Sequence, residues 1–439
     1  MSGIRLAALG VALLAGLGPA ARAQSGPAPV SPQERHAVVT ELAQLFNDHY
    51  VLPEIARTMG AALVAKETAG AYDAFTDPDA FADAVTRDLK ELGHDRHLRL
   101  SLKPPPPPGA PSAGPPDDPA AEREEARVNN YGFREVRMLP GNIGYLRFDA
   151  FLPTPVAGRA AVAAMGFLSG ADAIVFDLRN NGGGSPTMIQ LLSSYLFDAP
   201  THLNDIYWRE GDRRDQFWTL PWIDGERRPE VLVYVLTSAR TFSAAEEFTN
   251  NLKVLKRATI VGETTGGGAN PGRTYDVGRR FETVVSTGRS INPTTGTNWE
   301  GTGVEPDVKV PAADALLTAQ SAALDALEAK AKAPDAKARY RFARLAIDGQ
   351  LHPYTLPAGR AADYAGVFGP RRITLEGAGL SYQREGGARL RMKPLAADLF
   401  ALETVDDALV RFDRDAAGHV VKLVMLYVGG ESVENPRTP

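Results

Sequence analysis

The sequence predicts an α/β protein, a mixed and largely parallel sheet covered by helices, with a helical region before it and a small all-β module behind it. Three observations carry this. From Asn142 onward short apolar runs alternate with stretches of helical period, the pattern of strand and helix units that build such a sheet. Ahead of them lie two capped, amphipathic helix starts. Behind them come six short strands divided by Gly-, Asp- and Ala-rich turns.

The chain opens with Arg5 ahead of an apolar run over 6–17, and Ala21-Arg22-Ala23 before Gln24 is an A-x-A cleavage signature. Residues 1–23 therefore read as a signal peptide removed after Ala23, and the expected location is the periplasm or the medium. The apolar run is too short to span a bilayer, and no later stretch reaches the roughly 20 residues a membrane helix needs. With 439 residues and no cysteine, the chain is indifferent to an oxidising compartment. A formal charge of −5, with no dense basic cluster, gives no reason to expect nucleic acid or an anionic membrane as partner.

Residues 31–102 read as the helical region. Ser31-Pro32-Gln33-Glu34 supplies a cap, a first-turn proline and a capping-box glutamate, and Val38, Val39, Leu42, Leu45 and Phe46 form the apolar face. A second helix opens near Thr76-Asp77-Pro78-Asp79 and carries Phe81, Val85 and Leu89, before the chain reaches Gly93-His94-Asp95-Arg96-His97. Residues 103–130 hold the run Pro104 to Pro108 and then Glu122-Arg123-Glu124-Glu125, too polar and proline-rich for a core, so an exposed loop is expected.

Residues 131–312 form the core. Strands are expected over 143–148, 173–176, 231–236 and 259–262, and a helix over about 154–168. Two further helices carry Met188, Leu191, Leu192, Tyr195 and Leu196, and then Ala244, Ala245, Phe248, Leu252 and Leu255. A charged, alanine-rich helical connector follows over 313–345. Residues 360–430 read as a meander or small barrel without catalytic constellation, suited to packing on the core or to contact with a protein partner or a second copy of the chain.

Chemistry concentrates at two strand-to-helix junctions. Ser243 precedes a helix N-terminus, where free N–H groups point outward and favour negative charge. Ser243 with Glu246 is also an S-x-x-E capping box, which any helix can use. A second junction favours catalysis: Asp177-Leu178-Arg179-Asn180-Asn181-Gly182-Gly183-Gly184 leads into Ser185-Pro186 and a helix, and its glycines let N–H groups approach a ligand closely. Phosphate is the rival ligand, but neither G-x-x-x-x-G-K-[ST] nor G-x-G-x-x-G is present. Donation to a carbonyl oxygen is the better use.

Four words in order, Asp177 to Gly184, Thr241-Phe242-Ser243-Ala244-Ala245-Glu246, Val261-Gly262-Glu263-Thr264-Thr265-Gly266-Gly267 and Trp299-Glu300-Gly301-Thr302-Gly303-Val304-Glu305-Pro306-Asp307, resemble the tail-specific, or C-terminal processing, serine peptidases, a family that includes the tricorn core and the interphotoreceptor retinoid-binding proteins. The resemblance implies a ClpP/crotonase-like core and an exported serine endopeptidase. It implies Ser243 as nucleophile, and an oxyanion hole from the N–H of Ala244 with Gly183 or Gly184. One branch of the family places a lysine in the Gly-rich word after the nucleophile; here 262–270 has none, and Lys253 and Lys256 are expected to be solvated. The other branch uses a histidine and a glutamate. His97 matches the D-x-H-L pattern and Glu300 the glutamate ahead of G-x-G-V, which implies His97 as general base and acid and Glu300 as the group that orients it. Arg96 stands where the tricorn relatives carry a serine. The interval from Leu102 to the 143–148 strand is too short for the PDZ domain found in lysine-type relatives, and Gly266 to Gly268 suggest a mobile loop beside the site.

No metal or organic cofactor is implied. His94 and His97 form an H-x-x-H pair without the third ligand and glutamate of a zinc hydrolase pattern, and His36, His49, His202, His352 and His419 stand alone. The expected partner is a polypeptide substrate. The alternative on the same fold is a non-catalytic protein whose cleft binds a peptide or apolar ligand.

Overall fold

The computed structural model describes residues 28–103 and 119–438, so the predicted signal peptide and residues 104–118 of the proline-rich segment lie outside the described residues. Helices Pro32–His49, Pro53–Thr68 and Pro78–Gly93 open the chain. Ser31 accepts from the Glu34 N–H at 3.2 Å and Asp77 from the Ala80 N–H at 2.9 Å, so two of the three begin on caps legible in the sequence. The middle helix is capped by Leu52 without a side-chain bond, so its start is marked only by Pro53 and Glu54 in the first turn. It packs closely on the first through Gly60, where a Cβ would sit 3.3 Å from the Ala43 Cβ.

These helices bury Leu42, Phe46, Phe81 and Leu89 against an antiparallel sheet of Arg99–Leu102, Phe281–Ser286 and Gly272–Val277. That sheet joins the N-terminal region to strands some 180 positions away. His97 is thereby delivered to the core.

The central sheet has six strands, in the order Val308–Lys309, Thr259–Gly262, Leu232–Thr237, Ala173–Asp177, Ile143–Phe148 and Phe133–Leu139, parallel except for the last pair. Alternation along each strand sends Ile174 and Phe176 to one face, under helices Thr154–Phe167, Pro186–Ser194 and Ala244–Val254. Ala173 and Val175 go to the other, under Ala315–Lys330 and Pro334–Leu351. The expected connector is thus two packed helices, the second opening on Pro334, which fits the first turn but cannot continue a helix. A small antiparallel sheet of Gly288–Ile291, His202–Trp208 and Arg213–Trp218 completes the core.

Eight antiparallel strands in sequential order, Gly366–Phe368 to Ser432–Pro436, form the C-terminal module. A bridge between Phe368 and Arg437 and a bond from Thr438 N–H to Val367 O at 2.8 Å bring the last strand back to the first, which closes the meander towards a barrel. Tyr364, Phe368, Phe400 and Phe412 fill it, and Leu395, Leu399 and Leu409 dock it on Phe342 of the preceding helix.

One expectation is corrected. Within the 103–130 segment, residues Pro119–Val128 form a helix rather than loop, because alanine, glutamate and arginine are strong helix formers and Arg127 bridges Glu124 at 2.6 Å. No described helix is long and apolar enough to cross a membrane.

Candidate active site

The two junctions singled out in the sequence meet at the carboxyl ends of neighbouring strands. Asp177 lies opposite Leu236, and the turns beyond them are stitched together: the Thr241 hydroxyl donates to Leu178 O at 2.8 Å and the Phe242 N–H to Asn181 O at 3.0 Å. Ser243 follows with φ 53° and ψ −119°, a conformation that costs a non-glycine residue roughly 1–3 kcal/mol and is kept only where the surroundings enforce it. Gly183, at φ 102°, presses against it; a Cβ there would lie 2.7 Å from the Ser243 Cβ and 2.8 Å from the Ala244 nitrogen. Only glycine fits.

The N–H groups around Ser243 differ in availability. The Gly183 N–H donates to Asn181 Oδ1 at 2.9 Å and the Ser243 N–H to Glu246 Oε2 at 2.9 Å. Those of Ala244 and Gly184 have no acceptor among the described residues. Of the two glycines the sequence offered as oxyanion donors, Gly184 therefore has the free hydrogen, because the Asn181 side chain turns back on the loop and takes the other.

Glu246 does more than cap. Its Oε1 accepts from Thr265 Oγ1 at 2.5 Å and the Gly267 N–H at 2.6 Å, and its Oε2 from the Gly268 N–H at 2.8 Å as well as from Ser243. Burial pushes its carboxyl up and these four donors pull it back. The Gly266 to Gly268 stretch, expected as a mobile loop, is thus tied to the nucleophile turn, and the Trp299 indole N–H holds it from the other side through Gly268 O at 3.0 Å.

His97 comes from the N-terminal region onto this loop. Its ring lies 4.7 Å from that of Phe242, the residue before Ser243, and a Cβ on Gly268 would meet its Cε1 at 2.8 Å. No hydrogen bond joins Ser243 to His97 here. The ring Nδ1 is buried without a partner, 3.9 Å from Asp95 Oδ1, so a small ring rotation would bond them. Burial depresses the imidazole pKa and the Asp95 charge opposes it, which leaves His97 neutral and able to take a proton.

Glu300 reaches His97 through the backbone and makes no hydrogen bond to the ring. Its Oε1 accepts from the Arg96 N–H at 3.0 Å, and its Oε2 from the N–H groups of Ala269 and Asn270 at 2.6 and 2.9 Å. Burial, then the Asp95 charge, push it up to about 7. Asp95 accepts from the His97 N–H at 2.9 Å, the Tyr50 hydroxyl at 3.2 Å and the Asn270 amide at 3.1 Å. Sequence reasoning gave Asp95 and Glu246 no role in the site. The signals were present as the D of D-x-H and the E of S-x-x-E, but nothing local separates such a carboxylate from an ordinary cap.

One ligand atom each from Asp95, His97 and Glu300 lie within 4.8 Å of one another, a spacing that admits a cation. Both carboxylates, however, are already engaged by backbone and side-chain donors. Lys253, its side chain 31% exposed, is held at Asp307, 3.3 Å away, and bonded to Glu305 O, so it is not directed at Ser243. A cavity of about 400 Å³ lined by Tyr50, Leu52, His94, Asn270, Arg289 and Glu300 opens beside the cluster.

A strained serine at a helix N-terminus, open amide hydrogens and a buried neutral histidine are the parts of a serine hydrolase. The chain carries a peptidase family S41 domain, whose model matches residues 142–310, and the N-terminal domain of Peptidase_S41 in eukaryotic IRBP matches residues 32–130. It is a serine-type peptidase. Among solved structures it is similar to the photosystem II D1 C-terminal processing protease, at 18% identity over 63% of this chain and 93% of that one, with a TM-score of 0.39. A lipoprotein from Streptococcus agalactiae matches at 17% over 72% and 100%, TM-score 0.42. The tricorn protease matches at 12% over 65% and 35%, TM-score 0.41.

Proposed function

We propose that the protein is an exported endopeptidase whose Ser243 attacks the scissile carbonyl of a polypeptide. His97 takes the hydroxyl proton on the ring nitrogen away from Asp95 and returns it to the leaving amine, and water then resolves the acyl-enzyme by the same route. The oxyanion accepts from the N–H groups of Ala244 and Gly184, each worth roughly 3–4 kcal/mol in the transition state. Asp95 orients the ring, and Glu300 positions the histidine by holding the Arg96 N–H. The reading rests on one observation above the others: Ser243 is kept at positive φ against the Gly183 backbone, at the start of a helix whose Ala244 N–H has no acceptor among the described residues.

Export rests on Arg5, the apolar run over 6–17 and Ala21-Arg22-Ala23. N-terminal sequencing of the protein recovered outside the cytoplasm should begin at Gln24. For the chemistry, a fluorophosphonate should label the parent and not Ser243→Ala, because only an activated serine reacts. An unlabelled parent that still binds peptide or an apolar ligand would replace hydrolysis with carriage.

A further inference from the structure

Among the described residues the buried arginines Arg35 and Arg371 differ: Arg35 pairs with Asp73 at 2.9 Å, whereas Arg371, in the C-terminal module, has no carboxylate. Arg371, 6% exposed, donates from Nη1 to Asn435 Oδ1 at 2.6 Å, and its buried Nε has no acceptor. No carboxylate among the described residues lies within ion-pair distance of it. Burying a guanidinium without a counter-charge is unfavourable, because the low-dielectric surroundings return little of the lost hydration. Asn435 offers it only a neutral oxygen, and the Asn435 amide is spent on Leu423 O and Val433 O.

The sheet register adds to the cost. Arg371 lies directly opposite Arg384 on the neighbouring strand, and like charges so placed repel. Arg372 follows at the same pocket, of about 360 Å³, where Glu385 is the one acidic residue against three arginines. Neither Arg372 nor Arg384 pairs with a carboxylate among the described residues. Arg389, Arg411 and Arg414 of the same module do, with Glu376, Asp413 and Asp398 at 2.7, 3.0 and 2.8 Å. The module thus neutralises arginines elsewhere and leaves a positive excess of two here.

We infer that the pocket between the first three strands of the C-terminal module is a binding site for a phosphate monoester or inorganic phosphate, held by Arg371, Arg384 and Arg372. A dianion matches the excess, and the planar guanidinium presents paired donors to phosphate oxygens. A single carboxylate would leave one charge uncompensated. The site is independent of the peptidase reaction.

The test is calorimetry on the full chain at low salt, with inorganic phosphate as probe and acetate as control. Phosphate should bind at one site per chain, and Arg384→Gln, on the exposed side of the pocket, should weaken it roughly ten- to hundredfold while peptide cleavage and melting temperature stay put. Arg372→Gln should weaken it less, and Glu385→Gln should tighten it. Sedimentation with phosphatidylcholine vesicles, with and without phosphatidic acid, distinguishes the sources: Arg384-dependent capture makes the phosphate a lipid headgroup, and phosphate binding without capture makes it soluble. Absence of saturable phosphate binding, equal affinity for acetate, or binding untouched by both arginine substitutions overturns the inference.

Discussion

Glu246 and Glu247 are neighbours on the helix that begins at Ser243, and both are buried, yet the fold treats them in opposite ways. Glu246 faces the site, and every neighbour of its oxygens donates to them. Glu247 lies beside Asn204 of the small sheet and Asn251 of its own helix, with Oε1 unpartnered, and burial pushes it up to about 8. The first carboxylate is a tie between two loops; the second is a neutral acid at ordinary pH. Burial alone does not decide what a carboxyl group does. The donors around it decide.

The comparison can be broken at the site first. Ser243→Ala should reduce kcat/KM by about 10⁴-fold or more with an unchanged melting temperature, measured on an unfolded polypeptide substrate. Equal cleavage by the variant would remove the site face from catalysis altogether. Next in size is Glu246→Ala. It strands four buried donors, so urea unfolding should show a loss of about 3–5 kcal/mol. A loss no larger than that of Glu247→Ala would erase the distinction drawn between the two residues.

Asp95→Asn sharpens the picture of the histidine. Because burial holds the His97 imidazole below its ordinary range and Asp95 opposes this, the acid limb of kcat/KM against pH should lie below about 6.5 in the parent. Removing the Asp95 charge should move that limb to still lower pH and reduce the rate roughly ten- to hundredfold through loss of ring orientation. A limb that moves upward would mean that Asp95 does not act on the ring.

The smallest effect belongs to Glu247→Gln. A carboxyl whose folded pKa is about 8 keeps a proton that the unfolded chain releases in the ordinary range near 4.5. Its stability contribution is therefore full below about 4.5 and is lost as pH rises through 8. The parent should melt progressively lower from pH 5 to pH 9, and the glutamine variant should show a shallower slope while lying within about 1 kcal/mol of the parent at pH 5. Parallel slopes would place the buried acid elsewhere.

Most of the core was legible because its signals are local. The strand over 143–148, the caps at Ser31 and Asp77, and the glycines before Ser185 declare themselves within a few residues. The Pro53–Thr68 helix was missed because Leu52 offers no cap and Gly60 interrupts its pattern. Strands such as Gly272–Val277 and Arg213–Trp218 are polar and largely exposed, and so lack an apolar period. Of the site, Ser243, Ala244 and the glycines were readable from two junctions, and His97 and Glu300 from the family resemblance. Asp95 and the wider role of Glu246 were not, since both act on residues far away in sequence.

By itself the sequence determined which segments are helix and strand wherever apolar spacing, caps and turns agree, and it placed a serine on a helix N-terminus beside a glycine turn. Tertiary structure decided which amide hydrogens remain free, which carboxylate stands nearest the histidine, and which arginine is buried without an acid. Those outcomes depend on the register between strands as much as 180 positions apart and on the desolvation that packing imposes. No local pattern encodes either, because a charge's environment is made by whatever the rest of the chain brings to it.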